Sequence, residues 1–189
     1  MHLDGLKVAV LVTDGYEPSE LTEPIRALRE AGAEPVIVSD HDGTIKGKTD
    51  ADTATVDLTL DAARADDYGA LLLPGGVKNP DTMRQNQTGV AFVRSFADAG
   101  KPIAAICHAP WLLVEADVVR GRRVTSYPSL RTDLRNAGAD WVDEEVVTDR
   151  GLVTSRTPKD LPAFNAKMVE EFAEDTHHRA TESSSATRS

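Results

Sequence analysis

The chain has a single cysteine, and a histidine follows it at once in AAICHAPWLL. A thiol attacks as its thiolate, and an adjacent imidazole is a group that takes up the proton. The apolar run Pro102 to Ile106 reads as a buried strand, and the residues from about Pro110 to Asp117 read as a helix. Cys107 therefore falls on a strand-to-helix turn, where exposed amides and the helix dipole favour negative charge. This is the logic of a nucleophile elbow with Cys in place of Ser, and it predicts a thiol pKa below the ordinary value of about 8.5. Free cysteine is also a common small core hydrophobe, and adjacent side chains diverge. On the residues alone, packing and chemistry both stay open for Cys107, and His108 by itself is weak evidence.

Two further strand ends carry polar or glycine-rich turns. In LLLPGG, Gly75 and Gly76 let backbone amides approach a bound carbonyl oxygen as oxyanion donors, or form a plain turn. No GK[ST] follows them, so they are not a phosphate loop. In DGYEPSEL, Glu17 lies at the carboxyl end of the first strand, within reach of the same crevice. A solvated first-turn carboxylate describes Glu20 better than Glu17. There is no GxSxG of a serine hydrolase, and the five histidines lack metal-ligand spacing, so no metal is expected.

The elements that would position these groups alternate. Lys7 to Thr13 and Ala70 to Leu73 are continuous apolar strands, and Glu34 to Ser39 is another. Helices are predicted from Ser19 to Ala31 with Gly32 as terminator, from Ala62 to Asp67, through Val90, Val93, Phe96 and Ala97, and from Ser129 to Ala137. Residues 40–60 read as a hairpin or small strands. EEVVTDRGLVTS reads as an insertion-like hairpin about Asp149 to Gly151. Thr157 and Asp160 resemble a capping box before a closing helix marked by Leu161, Phe164, Met168, Val169 and Phe172.

Strand–helix alternation predicts a three-layer, doubly wound, flavodoxin-like α/β fold: a mostly parallel sheet with helices on both faces and a small β-hairpin. Residues 1–174 form one expected domain, and 175–189 a polar tail expected to be disordered. In such a sheet, ligands bind outside the carboxyl ends of the strands, where the three turns lie.

The bulk composition narrows the function. With 21 Lys and Arg against 31 Asp and Glu, the formal charge is −10, which disfavours binding to a nucleic-acid backbone. No segment is apolar for long enough to span a bilayer, so no membrane association is expected. One cysteine permits no intramolecular disulfide, in keeping with a cytoplasmic location.

The stretches TDGYEPSEL, LLLPGG, KPIAAICHAPWLL, GRRVTSYPSLRTDLRNAGADWVDEEVV and LVTSRTPKDLPAF resemble the PfpI family, of the class I glutamine amidotransferase-like superfamily. That family includes intracellular proteases, general stress proteins, and proteins reported as deglycases or glyoxalase III-like enzymes. The resemblance implies that Cys107 is the nucleophile and that Glu17 poises its sulfur. It also implies that the Gly76 and His108 amides form the oxyanion hole, and that Tyr127 lines the pocket. Asp81 matches the family's third catalytic group, an acid that reaches a neighbouring subunit's histidine. Many relatives have Glu there, in a loop one residue shorter. The implied function is a cysteine hydrolase or lyase without cofactor, acting on small carbonyl compounds or glycated protein side chains. The implied assembly is a homodimer or hexamer with a shared active site. The alternatives are an intracellular cysteine peptidase, or a redox-sensing or holdase stress protein using oxidation of Cys107.

Overall fold

The computed structural model describes residues 3–186. In the first strand, β1 (Lys7–Leu11), Val8 and Val10 pack on one face of the sheet, and Ala9 and Leu11 on the other. Both sets are apolar because both faces are covered, which is why the run is continuous rather than alternating. The chain continues through α1 (Pro18–Glu30) and β2 (Glu34–Ser39). The polar stretch that follows is a hairpin, β3 (Thr44–Lys46) with β4 (Thr53–Thr55), and then a short strand, β5 (Leu58–Thr59). Of the helix expected at Ala62 to Asp67, only a 3-10 turn at Ala65–Asp67 forms.

Next come β6 (Ala70–Leu73), α2 (Lys78–Met83), α3 (Gln87–Asp98), β7 (Ile103–Ile106) and α4 (Pro110–Glu115). The sequence pattern gives no sign of α2, whose six residues include Pro80 and a single apolar side chain, Met83. The chain closes with β8 (Arg123–Val124), α5 (Arg131–Asn136), β9 (Asp140–Trp141), β10 (Val146–Asp149), β11 (Leu152–Ser155) and α6 (Leu161–Ala186).

Seven strands form one sheet in the order β10-β11-β7-β6-β1-β2-β5. Every neighbouring pair is parallel except β10 with β11. Helices α1 and α6 cover one face, with Leu21, Ile25, Leu28, Phe164, Met168 and Phe172 in the core. Helices α3, α4 and α5 cover the other, with Phe92, Val93, Phe96, Leu112 and Leu134. This is the expected flavodoxin-like, three-layer α/β architecture. The order reverses at β1, so the carboxyl ends of β1, β6 and β7 open onto one crevice. Among the described residues, no helix is long and apolar enough to cross a membrane.

Three further expectations change. The β10–β11 hairpin is the edge of the main sheet rather than an insertion. All four residues of β11 are buried, and β11 pairs with β7 from Leu152↔Ile103 to Ser155↔Ile106. Thr157 makes no side-chain cap, and Asp160 accepts from the backbone and guanidinium of Arg156 while the Thr157 amide also stabilises its carboxylate. The tail expected to be disordered continues α6 through Ala186, and residues 187–189 lie outside the described residues. No Gly or Pro occurs after Pro162, so nothing stops helix propagation once the packed half of α6 has nucleated it.

Candidate active site

Cys107 follows β7 at a φ of 65°, one of three non-glycine residues in the left-handed region among the described residues. That conformation costs of order 1–3 kcal/mol, and surrounding bonds hold it in place. The Cys107 amide donates to Ser155 O at 3.1 Å, and its carbonyl accepts from the Tyr127 amide at 2.8 Å. The turn lifts the sulfur out of the sheet, 3.1 Å from His108 Nδ1. The two adjacent side chains do meet, contrary to the divergence expected of neighbours. The far side of the imidazole, Nε2, faces Ser129 Oγ at 3.4 Å. Tyr127 stacks on the ring with centroids 4.5 Å apart, and Trp111 lies 5.1 Å away. Burial lowers the His108 pKa.

Glu17 and Glu20 exchange places relative to the sequence expectation. Glu20 is 0% exposed and acts directly on the sulfur, whereas the Glu17 side chain is 27% exposed and pairs with Lys48 at 3.6 Å. Glu17 stands before α1, while Glu20 lies within it on the buried stripe shared with Leu21, Pro24, Ile25 and Leu28. The spacing Glu20–Pro24–Leu28 is the signal that places this carboxyl inward. Neither Glu20 oxygen has a well-formed hydrogen bond. Burial, reinforced by the charge of Glu17 and opposed by the Gly76 amide, raises its pKa to about 8, so it holds a proton at neutral pH.

Burial and an ionised Glu20 push the Cys107 thiol up to about 12, while the Gly76 and His108 amides pull it down. The expected depressed thiol is thus opposed by desolvation, and α4, only six residues long, is a short helix to set against it. Cys107 and Glu20 titrate as one coupled pair. The carboxylate's repulsion disappears whenever Glu20 carries the proton.

Gly75 and Gly76 both need to be glycine. A Cβ on Gly75 would collide with Glu20 Oε1 and lie 2.7 Å from both Cys107 Cβ and Ile106 O. Gly76 has a φ of +88°, and a Cβ there would come 2.5 Å from Gly15 O. These contacts leave the Gly76 amide directed at the sulfur.

The crevice has a volume of about 1040 Å³ and reaches from Cys107, His108 and Tyr127 to the β3–β4 hairpin. The sequence reading missed that wall. His41 lies on it with Nε2 3.0 Å from Asp14 Oδ2 and Nδ1 2.9 Å from the Asp42 carbonyl. Both ring nitrogens face acceptors, an arrangement that favours the protonated ring. The Asp42 carbonyl and then Asp14 raise its pKa against the effect of burial. Lys46, Lys48 and Lys78 complete the rim. Asp81 is exposed on α2 and lies outside the crevice.

Comparison with known proteins identifies the family and the fold. Residues 6–171 match the DJ-1/PfpI family. The chain is 48% identical over 165 residues to protein/nucleic acid deglycase 2 of Escherichia coli, covering 86% of this chain and 95% of the relative. It is 47% identical over 167 residues to general stress protein 18 of Bacillus subtilis, covering 87% and 96%. The crystal structure of Drosophila melanogaster DJ-1beta superimposes with a TM-score of 0.82 at 30% identity, covering 94% of this chain and 97% of that one. With the fold, the motif order and nearly the full length in common, the chain belongs to the DJ-1/PfpI family.

Proposed function

We propose that this protein is a cysteine-dependent stress-response hydrolase that removes glyoxal- and methylglyoxal-type adducts from amines. One observation carries the reading: a cysteine held on a left-handed turn against a wholly buried, protonated carboxyl, Glu20. A neutral acid there donates to a thiolate without repelling it. Burying such a group without a salt bridge is costly, which favours a chemical role over a structural one.

In the proposed reaction, His108 takes the thiol proton and the sulfur bonds to the aminocarbinol carbon. The C–N bond breaks, and the amine leaves with the proton returned by His108. The hemithioacetal left on the sulfur passes through an enediol to a thioester, its oxyanion facing the Gly76 and His108 amides. Water cleaves the thioester to a hydroxy acid and the thiol. Free methylglyoxal enters at the same hemithioacetal, so a glyoxalase III-like activity shares the site. A volume of about 1040 Å³, open on one side, suits a small adduct or a modified side chain. The reading includes a cytoplasmic location, supported by the lone free thiol.

It also includes assembly. Among the described residues, the large hydrophobics left exposed are Val77, at 57%, and Tyr127, at 39%, both on the rim of the crevice. A second copy covering that rim would bring its Asp81 toward His108, as the family resemblance implies.

The test is to incubate the protein with a methylglyoxal-modified lysine peptide, free methylglyoxal, and casein, each beside Cys107→Ser. The expected result is equimolar amine and hydroxy acid from the peptide, absent in the variant. Casein cleavage without amine release would favour the peptidase. Absence of turnover, with a peroxide-sensitive Cys107, would favour the redox stress protein.

A further inference from the structure

Asn79 is 1% exposed and joins the ends of two strands. Its Nδ2 donates to the carbonyls of Pro74 and Gly75, each at 3.0 Å. Its Oδ1 accepts from the Thr13 amide at 2.8 Å. Two carbonyls on one side and an N–H on the other leave a single orientation for the side-chain amide. Thr13 in turn donates its hydroxyl to Asp40 Oδ1 at 2.6 Å, so the linkage runs from the PGG turn across β1 to the end of β2.

The consequence follows from peptide geometry. The Gly75 carbonyl and the Gly76 N–H belong to one planar trans unit and point in opposite directions. Holding the carbonyl toward Asn79 therefore aims the N–H at Cys107 and Glu20. With glycine on both sides, and Gly76 at a φ of +88°, side-chain sterics alone do little to prevent rotation of this plane. A rotated plane would present a carbonyl oxygen to the sulfur, which opposes a thiolate and removes an oxyanion donor.

We infer that Asn79 is a positioning residue: it locks the Gly75–Gly76 peptide plane so that the Gly76 amide faces the reacting sulfur. This deepens the hydrolase reading, and its turnover arm rests on that reading.

The test compares Asn79→Ala and Asn79→Leu with wild type. Leucine nearly matches asparagine in shape, so it removes the hydrogen bonds without opening a cavity for water. Asn86→Ala serves as the control, because Asn86 accepts from Gly89 N to cap α3 and touches no part of the PGG turn. Thermal unfolding identifies the folded variants. The pH midpoint of Cys107 alkylation by iodoacetamide then reports the Gly76 amide without any substrate. Both Asn79 variants are expected to raise that midpoint by about one unit or more, a tenfold loss of thiolate at a given pH. Asn86→Ala should lower the melting temperature and leave the midpoint alone. Against the methylglyoxal-modified peptide, kcat should fall about tenfold or more with KM little changed. A folded Asn79 variant with the wild-type alkylation midpoint overturns the inference. Absent turnover in the wild type overturns the hydrolase reading and leaves the alkylation result to decide the role of Asn79.

Discussion

If Glu20 is the proton-bearing partner of Cys107, replacing it changes thiol reactivity in a way that depends on the replacement. Glu20 is 0% exposed and Cys107 7%, so water does not substitute for a lost donor. A hydrogen bond to a charged group contributes about 1.5–3 kcal/mol, and one pH unit corresponds to about 1.36 kcal/mol. Glu20→Leu should therefore raise the pH midpoint of iodoacetamide alkylation by about one to two units. Glu20→Gln keeps an N–H donor of similar reach and should stay closer to wild type than to the leucine variant. Glu17→Gln removes a partly exposed partner of Lys48 and a charge that acts on Glu20 and Cys107 only through space, so its shift should be under about half a unit. Stability separates reactivity from damage to the fold. Leucine replaces a buried carboxyl that lacks well-formed hydrogen bonds, so the Glu20→Leu melting temperature should hold or rise while reactivity falls. Equal midpoints for folded Glu20→Leu and Glu20→Gln would refute the reasoning, as would a Glu17 shift as large as that of Glu20→Leu.

Two other expectations concern different parts of the molecule. Burial alone would raise the Asp160 pKa, but Arg156 outweighs it and holds it below the usual carboxylate range. Its contribution to stability is therefore present above the unfolded value and lost as pH falls through the lower folded value. At pH 7, Asp160→Asn should cost about 2 kcal/mol, or about 4–8 °C in melting temperature, and the gap to wild type should close at acid pH in calorimetry. If the proposed assembly shares its site between subunits, Cys107→Ala and Asp81→Ala should each be inactive alone. Co-expressed in equal amounts, they should recover about a quarter of wild-type activity through mixed dimers paired across an isologous interface. Proven mixed dimers without recovery would return Asp81 to a solvated carboxylate.

The architecture was legible because its signals are local. Continuous apolar strands such as Lys7–Leu11 and Ala70–Leu73, separated by helical spacing, admit few arrangements other than a covered parallel sheet. The place of Cys107 at a strand end was legible for the same reason. Where signals were short or polar, the reading ran out. Helix α2 has too few residues for a period to appear, and the β10–β11 pair looked detachable until the partner of β11 was known to be β7. The continuation of α6 past Asp175 depends on propagation from a packed segment and not on any apolar pattern of its own.

The local order of residues also placed a thiol, an imidazole, two glycines and one glutamate, Glu17, at strand ends that share one crevice, and left Glu20 as a solvated carboxylate. Which glutamate meets the sulfur was decided only by the tertiary structure. Glu17 and Glu20 differ by three positions, and the rotation of α1 against the sheet turns one toward Lys48 and the other toward Cys107. The role of Asn79 is of the same kind, because its partners Thr13 and Gly75 follow different strands, β1 and β6. Their separation is set by the pairing of β1 with β6, a register no single segment encodes. Desolvation is likewise a property of the assembled layers: Glu20 carries its proton at neutral pH because α1, the PGG turn and the Cys107 turn together exclude water from it.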